Sequence, residues 1–135
     1  MSLSIGALAI SGLSILISIL LGTRSRKLAA YDHSTQLFLE IDHAFMTYPD
    51  LRPYFYDYRD LDDATADEDR IRAVAELMLD IFEWVLRHEY ELGGKESEGW
   101  RDYFKDCFET SPILRSFQDT NPSWHPRVGR FLKQI

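Results

Sequence analysis

One cysteine, Cys107, is the only thiol in a chain of 135 residues, so no disulfide can staple the protein to itself. Glycine and proline are sparse, at 7 and 5 residues, which is not the composition of a flexible or low-complexity tail. No stretch alternates apolar and polar residues with the period of two that a half-buried strand requires. There is no glycine-rich phosphate loop and no G-x-S-x-G elbow. The four histidines (33, 43, 88 and 125) are too scattered to pair with one cysteine as zinc ligands. A carboxylate-bridged di-iron bundle needs two Glu-x-x-His pairs on facing helices, and Glu40-x-x-His43 has no second. These absences lead to the expectation of no enzyme, no metal and no cofactor.

Charge is also lopsided. The chain carries 15 Lys+Arg against 22 Asp+Glu, a net charge of −7. Three of the basic residues, Arg24, Arg26 and Lys27, sit together before the first acidic residue, so the remainder is more acidic still. Such a surface repels nucleic acid, and no nucleic-acid partner is expected. A weak basic patch near the C-terminus (Arg115, Arg127, Arg130, Lys133) faces only Asp119. Residues 57–69 are strongly acidic, but a calcium loop starting at Asp60 would need Gly at 65 and Glu at 71, where the chain has Thr65 and Ile71. Thr65 with Glu68 reads instead as a helix capping box, with carboxylates gathered where the helix dipole favours them.

What is present in quantity is an uncharged apolar run. Residues 2–22 contain no charge, and at about 1.5 Å per residue they match a hydrocarbon core of roughly 30 Å. A cleaved signal peptide would carry basic residues before the run; here they follow it. The reading is a retained anchor over residues 1–22, a basic juxtamembrane segment over 23–29 and an acidic helical domain over 30–135. Arg24, Arg26 and Lys27 place the C-terminal side in the cytoplasm by the positive-inside rule.

Small residues in the anchor are ordered. Ser4, Ala7, Ser11, Ser14 and Ser18 are spaced 3, 4, 3, 4, and Gly22, Ser25 and Ala29 extend the line. In lipid, small side chains allow close helix approach and Ser hydroxyls can bond across the contact. At about 100° per residue the same line continues to His33, Gln36, Glu40 and His43. Small in the membrane and polar below it, this line suits the axis of a symmetric oligomer, as packed contact or as lumen. The competing reading is a solvated face aligned by chance.

The fold class expected is all-α: the membrane helix continues to about Met46 and joins a cytosolic bundle of four or five helices. Ala30, Ser34, Leu37, Ile41, Ala44 and Tyr48 form an apolar stripe flanked by Tyr31, Phe38 and Phe45. Pro49 ends the first helix, and Pro53 opens a short turn. A second long helix is expected over about 66–90, with Trp84 widening its apolar face and Gly93 and Gly94 stopping it. A third covers about 97–109, with Trp100, Tyr103, Phe104, Cys107 and Phe108 on one side. Ser111 caps a fourth opened by Pro112, and Pro126 opens the last. Trp84, Phe104 and Phe108 are expected in the core.

The motifs PDLRPYFY (49–56), WRDYF (100–104) and SPILR (111–115) resemble a loose group of uncharacterised bacterial proteins. Those are small helical domains, often behind an N-terminal membrane helix. The resemblance implies an inner-membrane setting and carries over no functional residue.

The function expected is a non-enzymatic, membrane-anchored helical module that self-associates, as scaffold or pore-forming effector, with the lipid bilayer and further copies of itself as partners. One alternative is a monomeric tethered adaptor for a cytosolic protein. Another is a HEPN-like ribonuclease, for which Arg26 and His33 have the right kind of spacing. The topology reading makes a direct prediction. A C-terminal reporter that functions only in the cytoplasm should be active, and neutralising Arg24, Arg26 and Lys27 together should weaken that orientation. A reporter active only outside would overturn it.

Overall fold

The computed structural model describes residues 2–62 and 67–135, with side chains from Ser11 onward. Among these residues the protein is helical throughout and has no strand. The first helix, α1 (Ser2–Thr47), is 46 residues of unbroken helix, about 70 Å long at the usual rise. No proline occurs before Pro49, and the helix runs straight through Gly22, where Thr23 Oγ1 donates to the Ile19 carbonyl at 2.9 Å. Pro49 cannot continue the ladder, so the chain turns into a 3-10 turn (Pro49–Leu51) and then α2 (Pro53–Tyr56).

The remaining elements are α3 (Glu68–Arg87), α4 (Glu89–Leu92), α5 (Gly94–Thr110), α6 (Pro112–Thr120) and α7 (Pro126–Leu132). The long second helix expected over about 66–90 is therefore two. The break is at His88, whose N–H is shared between the carbonyls of Trp84 and Val85, and whose ring stacks on Trp84 with centroids 4.1 Å apart. Gly93 has φ +84, a conformation that disfavours any side chain, and lets α5 begin at once at Gly94 rather than near Ser97. The capping box expected at Thr65 lies outside the described residues. At the described start of α3, Arg70 pairs with Asp67 at 2.8 Å.

Helix α3 is the centre of the domain. Ile71, Ala75, Met78, Leu79 and Phe82 are wholly buried, and α1, α5, α6 and α7 all pack on it. Phe82 stacks on Phe104 with centroids 4.0 Å apart, and Phe108 meets Phe82 edge-on at 5.9 Å. Phe104 and Phe108 are core residues as expected; Trp84 is only half-buried. It lies between His33 of α1 and His88, so it seals the α1–α3 junction rather than filling the core.

Two contacts fix the direction of α3. Arg70, near its start, lies over the Tyr48 ring at the end of α1, while Trp84, near its end, meets His33. So α3 runs antiparallel to α1, and α4 comes back against α1 near the place where α1 leaves the domain. Asp67 and Glu68, at the start of α3, fall at the opposite pole.

Two buried polar anchors complete the packing. Ser111 Oγ accepts from Leu114 N at 3.2 Å, capping α6 as expected, and donates to the Tyr54 carbonyl at 2.8 Å. Glu83, on α3, accepts from the backbone N–H groups of Arg127 (2.8 Å) and Val128 (3.1 Å). It thereby caps α7, which has no side-chain cap of its own. Phe104→Ala should cost about 3–5 kcal/mol, a large share of a small domain's stability. Thermal or urea unfolding measures it, and a variant melting within a few degrees of the parent would contradict this core.

Candidate functional surface on the long helix

The two halves of α1 have different surroundings. From Ala30 to Thr47 one side of the helix is a wall of the domain: Ala30, Ser34, Ile41 and Phe45 are buried, and Leu37 and Ala44 pack on the core. Ser34 is accommodated by donating its hydroxyl to the Tyr31 carbonyl at 2.8 Å. From Ser11 to Ala29 no residue is buried. Leu13, Ile15, Leu16, Ile17, Ile19, Leu20 and Leu21 stand 47–62% exposed around the helix, apart from the face that carries Ser11, Ser14, Ser18 and Gly22. Packing does not explain this stretch, because the domain does not reach it. Among the described residues no helix is long and apolar enough to cross a membrane. The apolar run read from the sequence begins at Ser2, and its first nine side chains lie outside the described residues.

The sequence-predicted seam is placed as follows. Ser4 and Ala7 fall where side chains are outside the described residues. Ser11, Ser14, Ser18, Ser25 and Ala29 are exposed and Gly22 is half-exposed, all on the free stretch. Ser14, Ser18 and Gly22 form a shallow furrow between Ile15 and Ile19. Ser18 Oγ donates to the Ser14 carbonyl at 2.9 Å, so this hydroxyl is satisfied within its own helix. Arg24, Arg26 and Lys27 are exposed and form a collar between the apolar stretch and the first buried residue, Ala30.

The polar line below the collar is divided. Gln36, Glu40 and His43 are exposed. His33 is exposed as well, but one side of its ring lies against Trp84, with centroids 4.5 Å apart. The nuclease pair gains no further group: Arg26 is on the free stretch, about two turns above His33 on the same helix. Among the described residues no set of three or more His, Cys, Asp or Glu is grouped to hold a metal ion. The C-terminal basic patch is partly spent internally. Arg127 pairs with Glu83, and Arg115 donates to the Phe108 carbonyl.

Two flanking aromatics depart from the sequence reading: Tyr31 and Phe38, expected to flank the packed face, are 52% and 40% exposed. Phe38 instead lines an open groove between α1 and α5 of about 340 Å³, with Thr35, Leu39, Gly99, Trp100 and Tyr103. Lys95 and Glu96 stand at its edge. Sequence reasoning missed this groove because Gly99, in the middle of α5, carries no periodic signal.

One titratable cluster lies behind the groove. Tyr56 and Tyr103 share a hydroxyl–hydroxyl bond of 2.7 Å, close to Cys107. Burial pushes the Cys107 thiol up to about 12 from 9.0 and Tyr56 up to about 12 from 10.0. Burial also raises Tyr103, reinforced by the neighbouring Cys107 and Tyr56. All three stay protonated at neutral pH, so Cys107 is a packed thiol and not a nucleophile.

The folded-state values lie above the unfolded ones. Their contribution is therefore whole below about pH 9 and is lost as pH climbs through 9 to 12, because the unfolded chain ionises first. Urea midpoints should fall between pH 8.5 and 11, and Cys107→Ala should flatten that slope. Equal slopes in both proteins would contradict the assignment. No protein-family model, curated protein or solved structure matches this chain.

Proposed function

We propose that this protein is a membrane-anchored, self-associating helical scaffold, with no catalytic role. The observation that carries the reading is the unpartnered apolar half of α1, ringed at its end by Arg24, Arg26 and Lys27. Seven Leu and Ile side chains half-exposed to water represent on the order of 10 kcal/mol of unrealised burial, comparable to the whole stability of a small domain. Monomeric soluble proteins do not keep such a surface bare. The apolar residues cover about two thirds of the helix circumference, which suits lipid better than a one-sided protein groove. The basic collar favours a cytoplasmic position for the domain.

Self-association is supported by the small-residue furrow of Ser14, Ser18 and Gly22 on the lipid-facing stretch. Contact is favoured over a lumen, because His33 leans on Trp84 and is not left to line a channel. The unbroken passage of α1 through Gly22 makes anchor and domain one rod.

Two measurements test this reading. The full chain should float with phosphatidylcholine vesicles in a density gradient, and Leu16→Arg with Ile17→Arg should leave it at the bottom while the domain still melts normally. Flotation indifferent to two buried arginines would remove the anchor. In lipid the chain should have an oligomeric mass that Ser11→Leu with Ser18→Leu lowers, since bulk at the furrow blocks close approach. A chain monomeric at high concentration in lipid would remove self-association.

A further inference from the structure

Two identical helices anchored in one membrane with the same orientation are parallel and at the same depth. Residues of equal number therefore face one another, and any contact must be self-complementary at equal height. A straight line at about 100° per residue carries the small-residue seam down to Gln36, Glu40 and His43. Paired helices do not stay straight. A repeat of seven drifts by about 20° per heptad relative to an ideal helix and wraps the pair left-handedly. Followed in sevens, Ser11 and Ser18 lead to Ser25, Asp32, Leu39 and Met46, and Ser14 leads to Leu21, Leu28, Thr35 and Asp42. Leu21, Leu28, Leu39 and Met46 are 61%, 58%, 59% and 80% exposed. Ser11, Ser14 and Ser18 of the upper helix and the exposed Leu39 and Met46 of the lower helix thus fall on one supercoiled seam, which passes Leu21 in place of Gly22.

That seam runs down the edge of the α1–α5 groove. Thr35 and Leu39 are among its lining residues, and Phe38, Trp100 and Tyr103 give it an apolar wall. At Gly99 the groove is open, since a Cβ there would meet nothing within 4 Å. Packing within the chain makes no use of that space, and glycine inside a helix costs about 1 kcal/mol relative to alanine. Lys95 and Glu96 are consecutive residues of opposite charge, and both line the groove. Across a two-fold axis, each lysine can face the other copy's glutamate.

We infer that a second copy of this chain occupies this groove, seating its Leu39 against Phe38 and Trp100, with Lys95 and Glu96 paired across the axis. The inference rests on the membrane-anchored, self-associating reading and names its lower contact. Asp32 and Asp42 also fall on the seam and oppose their mates, so they weaken the pair and guard against over-tight association.

The full chain in phosphatidylcholine vesicles tests this by disulfide capture under mild oxidation, with the mass in lipid measured in parallel. Cys107 is buried and does not interfere. Leu39→Cys should link copies efficiently and Gln36→Cys poorly. Gly99→Leu should fill the groove and abolish the Leu39→Cys link without lowering the melting temperature. Lys95→Glu should weaken the pair about tenfold, and Lys95→Glu with Glu96→Lys should restore it. Asp32→Asn should tighten it. An oligomeric chain that links through Gln36→Cys, or through neither position, overturns the groove contact and leaves self-association standing. A monomeric mass overturns both.

Discussion

Everything in this molecule depends on α1 being one helix in two surroundings. Its lower half supplies Ile41 and Phe45 to the core and is held there by burial. Its upper half has the same regular backbone and no domain to cover it. A helix cannot be apolar over most of its circumference in water without a cover, and the covering medium sets what the protein is for. Lipid satisfies such a helix, whose backbone bonds are already made internally. In the proposed anchor, the basic collar would mark the level at which the apolar medium ends.

The domain is built to hold that rod firmly. Because α3 runs antiparallel to α1, the ends of the two helices are tied at Tyr48–Arg70 and at His33–Trp84. The second tie lies close to the point where α1 leaves the domain, so the rod is gripped at the edge and not only at its tip. The interior carries few polar groups, and two of their atoms, Gln118 Oε1 and His125 Nδ1, have no hydrogen-bond partner among the described residues. Ser111 and Glu83 satisfy helix ends, and the Tyr56–Tyr103 pair is held neutral beside Cys107.

Much of the fold was legible because prolines and one glycine punctuate it. Pro49, Pro53, Pro112 and Pro126 each open or close an element where they were expected to, and Phe104, Cys107 and Phe108 share the buried face that their spacing indicated. What escaped were features set by partners distant in the chain. Trp84 has helical spacing for the core, yet two histidines draw it to a junction. Glu83 carries no signal in the sequence, because its partners lie 44 and 45 positions away. The missing cap before Pro126 was the available hint that some other acceptor must serve α7. On the candidate surface, the seam residues were legible as a heptad, but their continuation depended on helical geometry. A straight helix leads to Gln36 and His43, whereas a supercoiled pair leads to Leu39, and only the exposed side chains and the groove distinguish the two paths.

The central claim is that lipid covers the upper half of α1, and depth-resolved fluorescence tests it most directly. A tryptophan placed at Gly12, in the middle of the run, should be quenched most strongly by bromines deep in the acyl chains. One placed at Leu21 should respond to bromines near the headgroups, and the native Trp84, Trp100 and Trp124 to neither. Equal, weak quenching at Gly12 and Leu21 from both depths would show that this helix does not enter the bilayer and would contradict the account.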